Sequence, residues 1–403
     1  MLRGTSGILF AALIGTQALA APQTYPLTVT QGSGLGGEGA AVLKDEMAHA
    51  QFILWGEDHG FADSAVVLRA IAHDARPFGF KYHAVEVGPL STRMVADTLA
   101  KDGEAGLHKL VHEVPLGIPF LSLKDDAALA GDFPGRDANG TPYLWGIDQE
   151  FIGSPPFHLK RLVAIAPDEA ARAAASKLLG EEQDAAATAA QDKFLLARFK
   201  DADFDALAAK FKDVAEAQVI IAELKESAAV YQLWMSGHNY ENNARRARLL
   251  AKNFLGHYRA SAEPEPKVVF KMGLEHMALG TTTINTVDLG TLATETARLD
   301  GKTALRIAFL PAGGRNIAFA PKPGNPTTVE MYDNAEVKDL YAAIGLDTAT
   351  LPKDGWTLIP TDPIRHALDT QGLEKLKPFA RFVLLGYDYI VTTPDAKPGV
   401  SLY

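Results

Sequence analysis

The sequence predicts an α/β fold, with a central, mostly parallel sheet flanked by helices and a long all-helical insertion between strands 3 and 4. Three observations predict it. Short apolar runs end directly in glycine and an ionisable residue, as Gln51-Phe52-Ile53-Leu54-Trp55 does before Gly56 and Glu57; an unbroken apolar run of that length suits a strand buried on both faces. Apolar residues at helical spacing separate the first two such runs. A stretch of about a hundred residues, His158 to Tyr258, is rich in Ala, Lys, Glu and Leu and poor in strand formers.

Each element follows in order. After the glycine-rich run from Gln31 to Gly37, read as flexible, a short helix over about Ala40 to Ala50 leads into the first strand. Asp63 to Ala75 carries Ala65, Val66, Leu68 and Ala72 at helical spacing, and Phe80 to Glu86 reads as the second strand, giving a βαβ unit with an expected right-handed crossover. A Gly/Pro/Asp-rich approach, Gly131 to Pro142, precedes the third strand, Tyr143 to Asp148. The insertion, with Pro167 as its interior proline, reads as three or four helices over about 158 to 258. Lys267 to Met272 is the fourth strand, and Ala304 to Leu310, Trp356 to Pro360 and Phe382 to Val391 read as the remaining ones.

Composition narrows the function classes. The 403 residues, 47% hydrophobic and 22% charged, suit one elaborated domain or two modest ones and exclude a disordered or fibrous chain. The formal charge of −10, without a basic block, argues against nucleic acid or an anionic membrane surface as partner. Zero cysteines remove disulfides, thiolate metal sites and a cysteine nucleophile. At the N-terminus, Arg3, the apolar run Ile8 to Ile14 and Ala18-Leu19-Ala20 form a signal-peptide pattern over residues 1–20. The expectation is a secreted, periplasmic protein with no membrane anchor in the mature chain, since that run falls short of the ~20 residues a spanning helix needs. Oligomeric state has no signal in the sequence.

The polar residues fall at the strand ends. The first four strands run into Gly56-Glu57-Asp58-His59-Gly60, Glu86-Val87-Gly88-Pro89, Gly146-Ile147-Asp148-Gln149-Glu150 and Gly273-Leu274-Glu275-His276. In an open parallel sheet those ends share one edge, where ligands bind. Each residue also has an ordinary reading: Glu57 and Asp148 as helix caps, Glu86 as a paired buried acid, His59 and His276 as core histidines. Four coincident strand ends favour one site.

On these residues, with the helix segment Arg246 to Asn253, the sequence resembles the erythromycin esterase-like superfamily, which also includes the Tiki/TraB proteases and the ChaN haem-binding proteins. The resemblance spans nearly the whole of 21–403 and rests on a Gly-x-x-His motif at each of two strand ends with a Glu between them. It implies His59 as general base, Glu57 and Glu86 as the nearby acids, His276 as the second-motif histidine, and Arg246 and Asn253 as residues of a site-facing helix. It also implies Arg69, offset by about one residue, as the counterpart of an active-site arginine. This chain departs from the esterases at Ala247, Leu250 and Gly273, the last where they often carry a further histidine. That departure counts against macrolide esterase activity and brings the motif closer to the metal-using relatives.

The residues suit two chemistries. An imidazole flanked by carboxylates takes a proton from water, and Arg246 stabilises an oxyanion or an anionic group, giving metal-free hydrolysis of an ester or related acyl bond. No Gly-x-Ser-x-Gly elbow is present. Alternatively His59, Glu86 and His276 hold a divalent Mn, Zn or Fe ion whose bound water attacks. The expectation is that no cofactor is needed, with a divalent metal as the alternative. A third reading is a non-catalytic haem or ligand binder, with Tyr82, His83 and Tyr240 as available ligands but no attachment motif. The insertion, through Trp234, His238, Tyr240 and Arg246 near its return, would cap the crevice over a small-molecule or acyl substrate, with Asp148, Asn253, Arg69, Trp234 and Tyr240 as binding residues.

Overall fold

The computed structural model describes residues 21–30, 34–319 and 326–403. The leader expected over 1–20 and part of the glycine-rich run lie outside the described residues.

Eleven strands are found there: β1 (Tyr25–Thr30), β2 (Gly34–Gly36), β3 (Ala50–Glu57), β4 (Phe80–Val85), β5 (Leu144–Gly146), β6 (Lys267–Gly273), β7 (Thr303–Phe309), β8 (Arg315–Phe319), β9 (Thr327–Met331), β10 (Trp356–Pro360) and β11 (Tyr389–Thr392). Nine make one sheet in the order β2-β1-β10-β11-β7-β3-β6-β4-β5, and β8 and β9 form a separate hairpin. From β11 to β5 every pairing is parallel, while β10, β1 and β2 attach antiparallel at one side.

β3 lies in the middle, and all eight of its residues are buried. Its side chains alternate as a pleated strand requires: Phe52 and Leu54 pack on one face with Phe254 and Phe270, Ile53 and Trp55 on the other with Leu68 and Ile307. Helices Glu38–His49 and Ala62–Ala75 cover that second face. The first face takes Leu250 and Phe254 of helix Asn239–Ala260, whose buried residues at 247, 250, 253 and 254 form one helical stripe. Full burial of a side chain such as Phe254 is worth roughly 1.5–3 kcal/mol, enough to fix the rotation of that helix and with it the direction of Arg246, one turn before Leu250.

Three expectations change. The insertion contains six helices, Pro155–Ala164, Glu169–Thr188, Leu195–Arg198, Asp201–Lys210, Ala215–Met235 and Asn239–Ala260, with a core of its own around Leu162, Phe194, Phe204 and Leu224. Uniform Ala/Lys/Glu composition conceals the short breaks between them, apart from Pro167 just before the Asp168 cap, whose carboxylate accepts from the Ala171 N–H. The run Phe382 to Val391 is not one strand. Pro378 starts a helix that buries Phe379, Phe382 and Val383 and ends at Gly386, and β11 follows it. The glycine-rich run supplies the edge strand β2, where Leu35 N–H donates to Asp74. Helices Pro89–Glu113 and Lys124–Gly131, the hairpin and β1 are additions that the sequence reading did not contain.

Candidate active site

Strand register brings the ionisable ends together. Glu57 is the last residue of β3 and pairs with Gly273 at the end of β6, and Val85 at the end of β4 pairs with Lys271 of β6. His59 follows Glu57 by two residues, Glu86 follows β4 directly, and His276 sits in the short helix Leu274–Met277 after β6.

His59 is held at both nitrogens. Nδ1 lies 3.0 Å from Glu57 Oε1, and Nε2 lies 3.4 Å from Glu86 Oε2. Its ring stacks on Phe120 at 4.3 Å and keeps 32% side-chain exposure, while Glu57 and Glu86 are buried. Gly273 permits this approach: a Cβ there would stand 3.0 Å from His59 Nε2 and 3.4 Å from Glu86 Oε2. Gly273 thus leaves room for the His59–Glu86 contact.

Each carboxylate leads to a buried cation and then to a second acid. Glu57 Oε1 accepts from Lys271 Nζ at 2.5 Å, Lys271 lies 2.7 Å from Asp126 Oδ1, and the Ser64 hydroxyl donates to Glu57 Oε2. On the other side Arg246 Nη2 donates to Glu86 Oε1 at 2.6 Å, and Arg246 grips Asp148 with Nε at 3.0 Å and Nη2 at 2.5 Å. His59 therefore sits between two carboxylate–cation–carboxylate groups, Asp126–Lys271–Glu57 and Asp148–Arg246–Glu86. With all four acids ionised, each group carries one net negative charge.

That charge shows in the ionisation of the centre. Burial opposes the imidazolium of His59, but the Glu86 charge and the hydrogen bond to Glu57 outweigh it and raise its pKa above the ordinary 6.5. Burial likewise opposes ionisation of Glu86, yet His59, Arg246 and His276 hold its pKa down at about 2. For Asp126 burial prevails over the Lys271 charge and pushes the pKa up to about 6. Lys271 is held charged against its burial by Asp126 and Glu57.

His276 is buried, with Nδ1 3.0 Å from Asp288 and Nε2 3.8 Å from Glu86 Oε1. Asp288 also caps helix Leu289–Leu299. Asn253 donates to the carbonyls of Ile147 at 3.2 Å and Asp148 at 3.4 Å, so it holds the β5 exit in place without facing the centre.

Of the ten candidate residues, Glu57, His59, Glu86, Asp148, Arg246 and His276 come together, and Asn253 stands behind them on the backbone of Ile147 and Asp148. Arg69 does not join them: its guanidinium lies on Asp132 at 2.6 and 2.9 Å, on the exposed side of helix Ala62–Ala75. Trp234 lines an open cavity of about 520 Å³ beside Arg246, at the edge of the helical insertion, whereas Tyr240 does not line it and is 61% exposed. Tyr82 and His83, the haem ligand candidates, are core residues: Tyr82 donates to Asp137, and His83, whose pKa burial lowers to about 4, holds the Val269 carbonyl.

Among the described residues no group of three or more His, Asp or Glu is placed to hold a metal ion. The alternative set His59, Glu86 and His276 fits one poorly, because both oxygens of Glu86 already accept from Arg246 and the Gly273 N–H, and a cation there would face the guanidinium. Lys271, Asp126 and Phe120 are the residues that the sequence reading missed. Lys271 had a visible signal, a charged side chain inside the apolar run Val268 to Met272.

No protein-family model matches the chain, and no curated protein is similar to it in sequence. Solved structures are similar in fold. A variant of the erythromycin esterase EreC in its open conformation superimposes with a TM-score of 0.57 at 15% identity, over 89% of this chain and 94% of that one. A succinoglycan biosynthesis protein gives a TM-score of 0.53 at 12% identity, over 91% and 93%. A Bacillus cereus protein gives 0.51 at 11%, over 90% and 92%. At these identities the likeness establishes an erythromycin esterase-like fold.

Proposed function

We propose that the protein is a hydrolase of an ester or related acyl bond in which His59 activates water. The observation that carries this reading is the partly open His59 ring with both nitrogens set against strand-end carboxylates, between two net-negative groups. Glu57 accepts the Nδ1 proton, which leaves Nε2 as the base. His59 Nε2 takes a proton from water as its oxygen attacks the acyl carbon. The imidazolium is stabilised by Glu57 and Glu86 and returns the proton to the departing alkoxide, yielding an acid and an alcohol. Arg246, at the border of the cavity, serves the acyl oxygen or an adjoining substrate group.

The fold likeness to an erythromycin esterase supports hydrolysis as the reaction class, and Gly273 leaves space for the paired His59 and Glu86 that the reading needs. The test is a panel of activated esters with purified protein, with and without chelator. Turnover should persist in chelator and fall by ~10²-fold or more in His59→Ala. Loss of turnover on chelation, with recovery on adding Mn or Zn, would overturn the metal-free mechanism, and no turnover at all would overturn the hydrolase.

The reading extends to an exported protein acting on a small acyl substrate, supported by the leader pattern of residues 1–20 and the acidic balance of the chain. Among the described residues no helix is long and apolar enough to cross a membrane. N-terminal sequencing of protein from the periplasmic fraction should begin after Ala20; a retained Met1 would refute export by cleavage.

A further inference from the structure

The cavity beside Arg246 has a lining that discriminates between ligands. Its volume of about 520 Å³ lies within the ~300–1,000 Å³ of small-molecule sites. Among the described residues Arg246 is its only charged lining residue, and that charge is already matched by Asp148 and Glu86. An anionic ligand would meet those two acids behind the guanidinium, and a cationic one would meet the guanidinium itself, so neither sign gains a counter-ion.

The rest of the lining is neutral but not inert. Gln149, Gln191 and Asn243 line it, and the side-chain amides of Gln191 and Asn243 have no partner among the described residues. Gln149 is a different case, since its Oε1 is buried away from the cavity and its side chain bonds Tyr231. Amides offer donors and acceptors together, which is what a hydroxyl group, itself both donor and acceptor, can satisfy. Against them stand Trp234 and Phe319. Trp55 and Trp145 are fully buried, whereas Trp234 is 54% exposed. An exposed indole with amides nearby suits a ring with an apolar C–H face and hydroxyls at its edge. Phe319 also packs on Phe120, the ring stacked on His59, and so links the cavity wall to the reacting centre.

We infer that this cavity binds a neutral, polyhydroxylated ester, in chemical class an O-acylated sugar, with Trp234 as its stacking platform. The ester part of the statement rests on the hydrolase reading; the sugar part rests on the lining alone. An aliphatic ester or lactone of the same volume would leave the amides unpaired and be discriminated against.

The test is calorimetric titration of the full chain with methyl glucoside and its 6-O-acetyl ester, against cyclohexylmethyl acetate, which lacks the hydroxyls, and methyl glucuronide, which adds a charge. Both glucosides should bind at least tenfold more tightly than either control, and Trp234→Ala and the near-isosteric Asn243→Leu should each weaken that binding tenfold. Trp234 is exposed, so its variant should keep the fold. Equal or tighter binding of cyclohexylmethyl acetate or the glucuronide, no glucoside binding, or unchanged binding in both variants would overturn the inference. Glucoside binding without hydrolysis of its acetate supports the sugar site and counts against the hydrolase. Hydrolysis of cyclohexylmethyl acetate with no preference for the sugar does the reverse.

Discussion

Two clusters at the same sheet edge pair a histidine with a glutamate, and they differ in their access to solvent. In the first, His59 lies 3.0 Å from Glu57. In the second, His158 lies 2.9 Å from Glu150, with the Ser91 hydroxyl 2.5 Å from the same carboxylate oxygen and 3.2 Å from the same ring nitrogen. By residue type the second is a serine, a histidine and an acid. Yet serine and acid share His158 Nε2, so the histidine cannot take the serine proton while the acid steadies its other nitrogen. Glu150 is saturated as well, by the backbone N–H groups of Leu90 and Ser91, and Gly88 exists to admit it, since a Cβ there would come within 2.3 Å of its carboxylate. A cavity of about 700 Å³ passes His158, but Ser91 and Glu150 are fully buried behind it. The difference lies in access and saturation: the His59 ring stays partly open beside two carboxylates, while Ser91, Glu150 and His158 satisfy one another out of solvent.

The largest expected effect tests that contrast directly. His59→Ala should lower kcat/KM for a turned-over ester by about 10²–10⁴-fold, the range of general acid–base catalysis, with little change in the denaturation midpoint, because a third of that side chain is already in water. Glu150→Ala should do the opposite. It strands two backbone donors, a serine and a buried histidine, and should cost about 3–5 kcal/mol of stability, read by denaturant titration, while the ester reaction persists in the folded fraction. If Glu150→Ala were stable and inactive, the two clusters would have been assigned the wrong way round.

How much of this was legible depends on what each residue touches. β3, β6, β7 and β10 have nearly the bounds read from the sequence, because strands covered on one or both faces appear as unbroken apolar runs. The hairpin of β8 and β9 did not, since Thr327–Met331 is largely exposed and carries no such run. The strand-end acids were visible as ionisable residues after apolar runs. Asp126 and Phe120 were not, because they come from a helix and a turn between β4 and β5 that have no strong periodicity. Arg69 failed for a geometric reason: a one-residue offset on a helix turns a side chain by about 100°, and here it carries the guanidinium to Asp132. Trp234 and Tyr240 flank one interhelical turn, which sequence proximity could not resolve into one lining residue and one solvent-facing residue.

A smaller effect sharpens the electrostatic side of the comparison. The raised pKa of His59 means that the neutral base forms only as pH climbs past the ordinary histidine value, so kcat/KM should rise along an acid limb centred above pH 6.5. Asp126→Asn removes one negative charge from the group behind Glu57, destabilises the imidazolium and should move that limb to lower pH by about one unit or less. The displacement is expected only where Asp126 is ionised, above its pKa of about 6. A limb that stays in place would mean that Lys271 screens Asp126 completely from His59, and a shift to higher pH would contradict the charge assignment.

The smallest effect marks the boundary of the site. Arg69 and Asp132 form a bidentate pair with side chains 47% and 28% exposed, and pairs in that setting contribute roughly 0–1 kcal/mol because solvent and salt screen them. Arg69→Ala should therefore lower stability by no more than about 1 kcal/mol, less at high salt, and leave kcat/KM within about twofold. The variant separates two origins for the negative charge around His59. If only the groups built on Lys271 and Arg246 set it, loss of a cation paired elsewhere is silent in the pH profile. A tenfold fall in kcat/KM, or a displaced acid limb, would show that the cluster extends across helix Ala62–Ala75 to Asp132, and the contrast with the sealed Glu150 cluster would then have to count those charges too.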